Sequence, residues 1–95
     1  MAFNIEFTSE AERDLAAIRP FYRAQILNGI EALLARTPTE VSRSRIKRLR
    51  LLDSPAYRLR IEDYRVFYDV DERDMIVTIL RILSKENPIQ YLADL

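Results

Sequence analysis

The stretch Tyr57-Arg58-Leu59-Arg60-Ile61-Glu62-Asp63-Tyr64-Arg65-Val66-Phe67-Tyr68-Asp69-Val70 constrains the fold more than any other part of the chain. Successive side chains of a strand point to opposite faces, so apolar–polar alternation marks a strand with one buried face. Residues 57–61 and 64–70 both alternate, and Glu62-Asp63 between them suits a two-residue turn, although it lacks the glycine that favours one. Strands joined this closely pair antiparallel. With Glu62 and Asp63 as the loop, Ile61 stands opposite Tyr64, Arg60 opposite Arg65, Leu59 opposite Val66 and Arg58 opposite Phe67. Arg58, Arg60, Arg65 and Phe67 therefore share one face. Tyr57, Leu59, Ile61, Tyr64, Val66 and Tyr68 share the other, which must be the core face.

An isolated hairpin is marginal in water, so the remaining elements have to cover its apolar face. Residues 3–8 alternate and read as a short strand. Ser9-Glu10-Ala11-Glu12 has the form of a capping box, and Ala11, Leu15 and Ile18 follow at helical spacing. This predicts a helix over 10–18 that stops before Pro20, because the residue preceding a proline is pushed out of the helical region. Pro20 suits the first turn of a second helix, with Tyr22, Ile26, Ile30, Leu33 and Leu34 as an apolar stripe over 21–35. Gly29, the chain's one glycine, is expected to mark a close helix crossing. Thr37-Pro38 ends this helix.

Residues 39–55 read equally as a loop or a short helical turn, closed by the turn signal Asp53-Ser54-Pro55. A polar turn at 71–74 leads to residues 75–83, a nearly continuous apolar run expected of a central strand covered on both faces. The tail, 84–95, contains Pro88 and has room for one helical turn ending near Leu92. The order β-α-α-β-β-β implies an α+β fold: a largely antiparallel four-stranded sheet with a helical hairpin packed on one face, a single domain over 1–95.

Formal net charge is zero, but it is unevenly distributed. Residues 43–60 carry seven basic and one acidic side chain, against four basic and six acidic over 1–42 and four basic and eight acidic over 61–95. Such a basic segment is the footprint of anion binding or a solvated face. The chain has no cysteine and no histidine, which removes thiolate and imidazole chemistry and the commonest metal ligands, so no metal or cofactor is expected. The start of the chain does not resemble a secretory signal and no apolar stretch approaches a membrane span, so no membrane and a cytoplasmic location are expected. Arg60 opposite Arg65 is a like-charge pair, relieved either by carboxylates such as Glu62, Asp69 or Asp71 or by a bound anion. Guanidinium groups match phosphate geometry, and Phe67 beside them would offer a stacking surface for a base.

The hairpin resembles that of the RelE/ParE toxin superfamily, which reads about as Y-R-[IV]-R-[IV]-G-D-Y-R-[IV]-[IV]-Y-x-[IV]. The N-terminal strand, helical hairpin, Pro-containing linker, final apolar strand and late tyrosine fit as well, so the resemblance covers almost the whole chain. It implies the toxin of a type II toxin–antitoxin module, neutralised by a cognate antitoxin protein. One branch of the superfamily cleaves mRNA on the ribosome and the other poisons DNA gyrase. The short helical hairpin and the arginine set look more like the first. The family's catalytic positions carry over to Arg58, Arg60, Arg65, Lys85 and Tyr91. Arg45, Lys47, Arg48, Arg50, Arg81 and Phe67 are expected to contact RNA or its phosphates. The chain departs from the pattern in carrying Ser84-Lys85 where the family often has His-Arg or Lys-Arg, and Glu62 at the turn glycine. Three readings remain: a ribosome-dependent endoribonuclease, a gyrase inhibitor, and a member that binds its antitoxin without toxicity. For any of them, the basic groove and the apolar residues of 43–52 are expected to suit an acidic, amphipathic partner segment.

Overall fold

A computed structural model describes residues 2–49 and 53–86. The elements run β1 (Asn4–Phe7), α1 (Ser9–Ala16), α2 (Pro20–Leu34), β2 (Ile46–Arg48), β3 (Tyr57–Ile61), β4 (Tyr64–Asp71) and β5 (Ile76–Ser84). The strands form one sheet in the order β1-β5-β4-β3-β2, antiparallel throughout except for β1 beside β5. The helical hairpin packs on one face, as the alternation requires. Ala11, Ile26, Ile30 and Leu34 from the helices meet Ile46, Leu59, Ile61, Val66, Tyr68, Val77, Ile79 and Ile82 from the sheet in one core cluster. Tyr68 is fully buried there; its hydroxyl donates to the Pro38 carbonyl at 2.6 Å and its ring stacks on Tyr57 at 5.5 Å. No helix of the described residues is long and apolar enough to cross a membrane.

The sheet has five strands rather than four. The additional one, β2, falls where a loop or helical turn was expected, and it pairs Ile46 with Leu59, Lys47 with Arg58 and Arg48 with Tyr57. Ile46 is thereby core rather than an exposed apolar contact. Its outward-facing backbone groups are taken by Ser42, whose hydroxyl accepts from the Ile46 N–H at 3.1 Å and whose own N–H donates to the Ile46 carbonyl at 2.9 Å.

Helix α1 starts one residue early. Thr8, not Ser9, is its cap: the Thr8 hydroxyl accepts from Ala11 N–H at 3.1 Å while donating to the Leu80 carbonyl at 2.9 Å. Because Thr8 N–H is also bound to the Ile79 carbonyl, β5 fixes where the helix begins. At the other end, Arg23 of α2 donates to the carbonyls of Leu15, Ala16 and Ile18, closing α1 with a side chain from the next helix.

Gly29 marks a helix–sheet contact, not a helix crossing. A Cβ there would lie 2.6 Å from Ile61 Cδ1, so the missing side chain lets α2 settle onto β3. On β5, Val77, Ile79 and Ile82 are buried toward the helices, while Ile76, Thr78 and Leu83 are only half-buried, so the expected full cover on both faces is partial. The helical turn expected in the tail lies outside the described residues.

Candidate phosphate-binding face

The hairpin register is the one the alternation predicts: Arg58 opposite Phe67, Leu59 opposite Val66, Arg60 opposite Arg65, Ile61 opposite Tyr64. Extended across the sheet, it aligns two rows on the face away from the helices. One is Lys47, Arg58, Phe67 and Arg81; the other contains Arg60, Arg65 and Leu83. Two residues along a strand separate the rows, about 7 Å. The turn Glu62-Asp63 and the start of the chain after β5, at Lys85, stand at the end nearer the second row.

The first row holds the feature of most chemical consequence. Arg58 is half-buried, and its Nε is buried with no hydrogen-bond partner. Burial, and then the charges of Arg65 and Arg60, hold its guanidinium below the usual arginine range. Arg65 is lowered by burial and by Arg60, with Asp63 acting in the opposite sense. Among the described residues, none of Arg58, Arg60 and Arg65 forms an ion pair with a carboxylate. Relief of the like-charge pair by Glu62, Asp69 or Asp71 is therefore not what the fold provides. Asp69 instead accepts from Ala56 N–H at 2.7 Å and from the Ser54 hydroxyl, and Asp71 accepts from the N–H groups of Arg73 and Asp74. A buried donor on a charged group, left unsatisfied, costs roughly 1–3 kcal/mol. An anion on this face would remove that cost and the repulsion together.

Arg65 lies against the hairpin turn, its Nη1 donating to the carbonyls of Glu62 at 3.0 Å and Tyr64 at 3.1 Å. Glu62 reaches this geometry with φ 51°, the left-handed region that a turn glycine adopts without strain. Lys85 is tied to the same turn. Its N–H donates to the Asp63 carbonyl at 2.7 Å and its Nζ lies 3.4 Å from Asp63 Oδ1.

The remaining expected site residues divide. Arg45 and Lys47 are exposed near the β2 edge, and Arg45 accepts at its carbonyl from Arg60 N–H. Arg48 stands on the helix side of the sheet, donating to the carbonyls of Leu49 and Ala56 and lying over the Tyr57 ring at 5.1 Å. Arg81 makes a bidentate pair with Asp14 of α1 at 2.7 and 3.1 Å, and Asp14 also accepts from Ile82 N–H. Phe67 has the expected register but is 1 % exposed, so it presents no open ring for stacking; alternation fixes the face of a strand residue, not what covers it. Arg50 and Tyr91 lie outside the described residues. Sequence reasoning missed Asp14, which meets Arg81 across 67 residues, and Asp63, whose position beside the turn in the motif was its only signal. Among the described residues no cluster of three or more acidic side chains is placed to hold a metal ion.

The model of one family, the ParE toxin of type II toxin–antitoxin systems (parDE), matches residues 5–88. The chain belongs to this toxin family. The toxin is also similar to solved structures. The toxin–antitoxin complex RelBE2 of Mycobacterium tuberculosis contains a chain 28 % identical, with TM-score 0.77 over 88 % of the toxin and 99 % of that chain. The archaeal RelE–RelB complex of Pyrococcus horikoshii matches at 21 % identity and TM-score 0.72, over 90 % and 97 %. A doubly substituted Escherichia coli RelE in the free state matches at 18 % and 0.72, over 97 % and 93 %. No curated protein matches the toxin in sequence. Its fold is thus that of RelE toxins, and the arginine-bearing hairpin forms the middle of the toxin's sheet.

Proposed function

We propose that this toxin of a type II module is a ribosome-dependent mRNA endonuclease in the cytoplasm, neutralised by a cognate antitoxin protein. The observation that carries the reading is Arg58: a half-buried guanidinium with an unpartnered Nε, beside Arg60 and Arg65, none of the three ion-paired with a carboxylate among the described residues. Such a cluster is built for a bound anion, and a phosphodiester brings the geometry that guanidinium groups match. The similarity to a toxin crystallised with its antitoxin supports the partner.

In this reading the 2′-hydroxyl of one nucleotide gives its proton to a solvent water and attacks the adjacent phosphorus. The new O–P bond forms as the bond to the 5′ oxygen breaks, and negative charge grows on the phosphoryl oxygens. Arg58 and Arg60 bind the phosphate. Arg65, released from the turn carbonyls, meets the growing charge. Lys85, at the end of the same face, hands a proton to the leaving 5′ oxygen. Tyr91 stacks on a base or takes part in proton transfer. Lys47 and Arg45, exposed near the β2 edge, hold the flanking backbone by charge alone.

Expression of the toxin is expected to arrest translation and leave cleaved mRNA. Arg65→Ala should lower cleavage about 100-fold or more, with an unchanged circular-dichroism spectrum, because it removes one donor aimed at the growing charge. Growth arrest with translation continuing at its normal rate would sink the proposal. The family match favours one second reading, inhibition of DNA gyrase without catalysis. Supercoiling by purified gyrase, unaffected at excess toxin, would remove it.

A further inference from the structure

A carboxylate that acts on the arginine face belongs to the turn that connects its two central strands. Asp63 acts on both cations at that end. Its Oδ1 is 3.4 Å from Lys85 Nζ, its carbonyl accepts the Lys85 N–H at 2.7 Å, and its charge favours the protonated form of Arg65. On the other side of the same turn, the Glu62 carbonyl accepts from Arg65. Two residues thus hold the two cations that flank the end of the face, one through a carbonyl and one through a carboxylate. The Asp63–Lys85 pair is exposed, with side-chain exposures of 75 % and 57 %, so it adds little to folding stability. What it does add is negative charge at the mouth of a cationic site.

We propose that Asp63 is the resident counter-ion of the arginine face: it positions Lys85 at the hairpin end and weakens the face's hold on anions until a phosphate displaces it. This rests on the reading of the face as a phosphate site. The pairing has two consequences. An incoming phosphate releases Lys85 from Asp63 as it binds, so the ammonium becomes available only when the substrate is present. The same carboxylate lowers affinity for every polyanion, so productive binding depends on contacts beyond the hairpin. Asp63 is in this sense a positioning residue; it does not touch the reacting atoms.

The test uses the full-length toxin and a short single-stranded oligodeoxythymidylate, which lacks the 2′-hydroxyl and cannot be cleaved by the proposed route. Binding is titrated by fluorescence anisotropy at low and at high salt. A unit charge within about 7 Å in a water-like dielectric changes anion affinity about two- to fourfold, so Asp63→Asn should bind the probe that much more tightly. The gain should disappear at high salt. Glu72→Gln, the same loss of charge at the opposite end of β4, should change little. In a Lys85→Met background the effect of Asp63→Asn should shrink, because the pair no longer exists to be broken. Asp63→Ser serves as a second neutral variant.

Equal tightening by Asp63→Asn and Glu72→Gln would reduce the effect to net charge and overturn the inference. So would an Asp63→Asn variant that binds no better than the parent toxin. If instead the parent toxin fails to bind the probe and Arg58→Ala changes nothing, the phosphate-site reading itself has failed. Those two failures appear in different lanes of one experiment.

Discussion

Gly29→Ala should destabilise the toxin, against the usual effect of that substitution in a helix. Within a helix the change normally gains about 1 kcal/mol, because alanine loses less backbone freedom on folding. Here the new methyl would sit 2.6 Å from Ile61 Cδ1 and 3.2 Å from Cγ1. Ile61 is buried at 5 % exposure and β-branched, so it has little room to rotate, and overpacking of this kind costs about 1–3 kcal/mol. The net is a loss of about 1 kcal/mol. Ile61→Val removes the atom in closest conflict, at its own cost of about 0.5–1.5 kcal/mol. In that valine background Gly29→Ala should be neutral or stabilising by about 0.5 kcal/mol, because the helix gain remains and the Cδ1 contact is gone. The double-mutant cycle read by urea denaturation should therefore show a coupling near 1.5 kcal/mol with an unchanged m-value. Stabilisation by Gly29→Ala in the parent chain, or additive single effects, would refute the account of this contact. The substitution also bears on the site, since Ile61 lies between Arg60 and the turn that holds Arg65.

Arg58→Met should abolish toxicity and leave the protein equally stable or up to about 1 kcal/mol more stable, since it replaces a partly desolvated guanidinium with an unpartnered Nε by a chain of similar length; a clear fall in melting temperature would show that Arg58 is structural. Tyr68 is pushed above its ordinary value of 10.0 by burial and by Tyr57, so the folded state keeps the phenol protonated where the unfolded chain ionises. Its contribution is complete below pH 10 and is lost as pH rises beyond it. Tyr68→Phe should therefore cost about 1 kcal/mol at neutral pH, from the lost bond to Pro38, and should flatten the alkaline fall in melting temperature. Identical slopes above pH 10 for both proteins would contradict this.

The hairpin was legible because its signal is local. Alternation over 57–61 and 64–70 fixes faces and register without reference to anything else, and every pairing it implies is present. The helices were legible for the same reason, down to Pro20 at the start of α2. Their ends were less so: Thr8 and Ser9 are chemically near-equivalent caps, and only the bonds from Thr8 to Ile79 and Leu80 distinguish them. β2 is not legible because three residues, Ile46 to Arg48, are too few to show a period. At the site, the sequence could place arginines on one face but not their partners. The basic side chain of Arg81 suggests a phosphate contact, yet its guanidinium lies against Asp14, a contact closed by tertiary folding across most of the chain. Arg48 has the same composition-level signature as Lys47 but falls on the opposite side of the strand.

Ser42 has a consequence beyond the loop it closes. Arg45, Lys47 and Leu49 turn their backbone groups inward to β3, so Ile46 and Arg48 are the β2 residues whose backbone groups face outward, where a further strand would lie. Both groups of Ile46 are already occupied by Ser42. The sheet is thus closed at Ile46 by its own chain. Another polypeptide cannot extend it at Ile46 without first undoing those bonds, whether that polypeptide is a stray copy in a crowded solution or a specific ligand. A protein docking beside Ile46 meets side chains instead, and the exposed ones there, Arg45 and Lys47, are cationic.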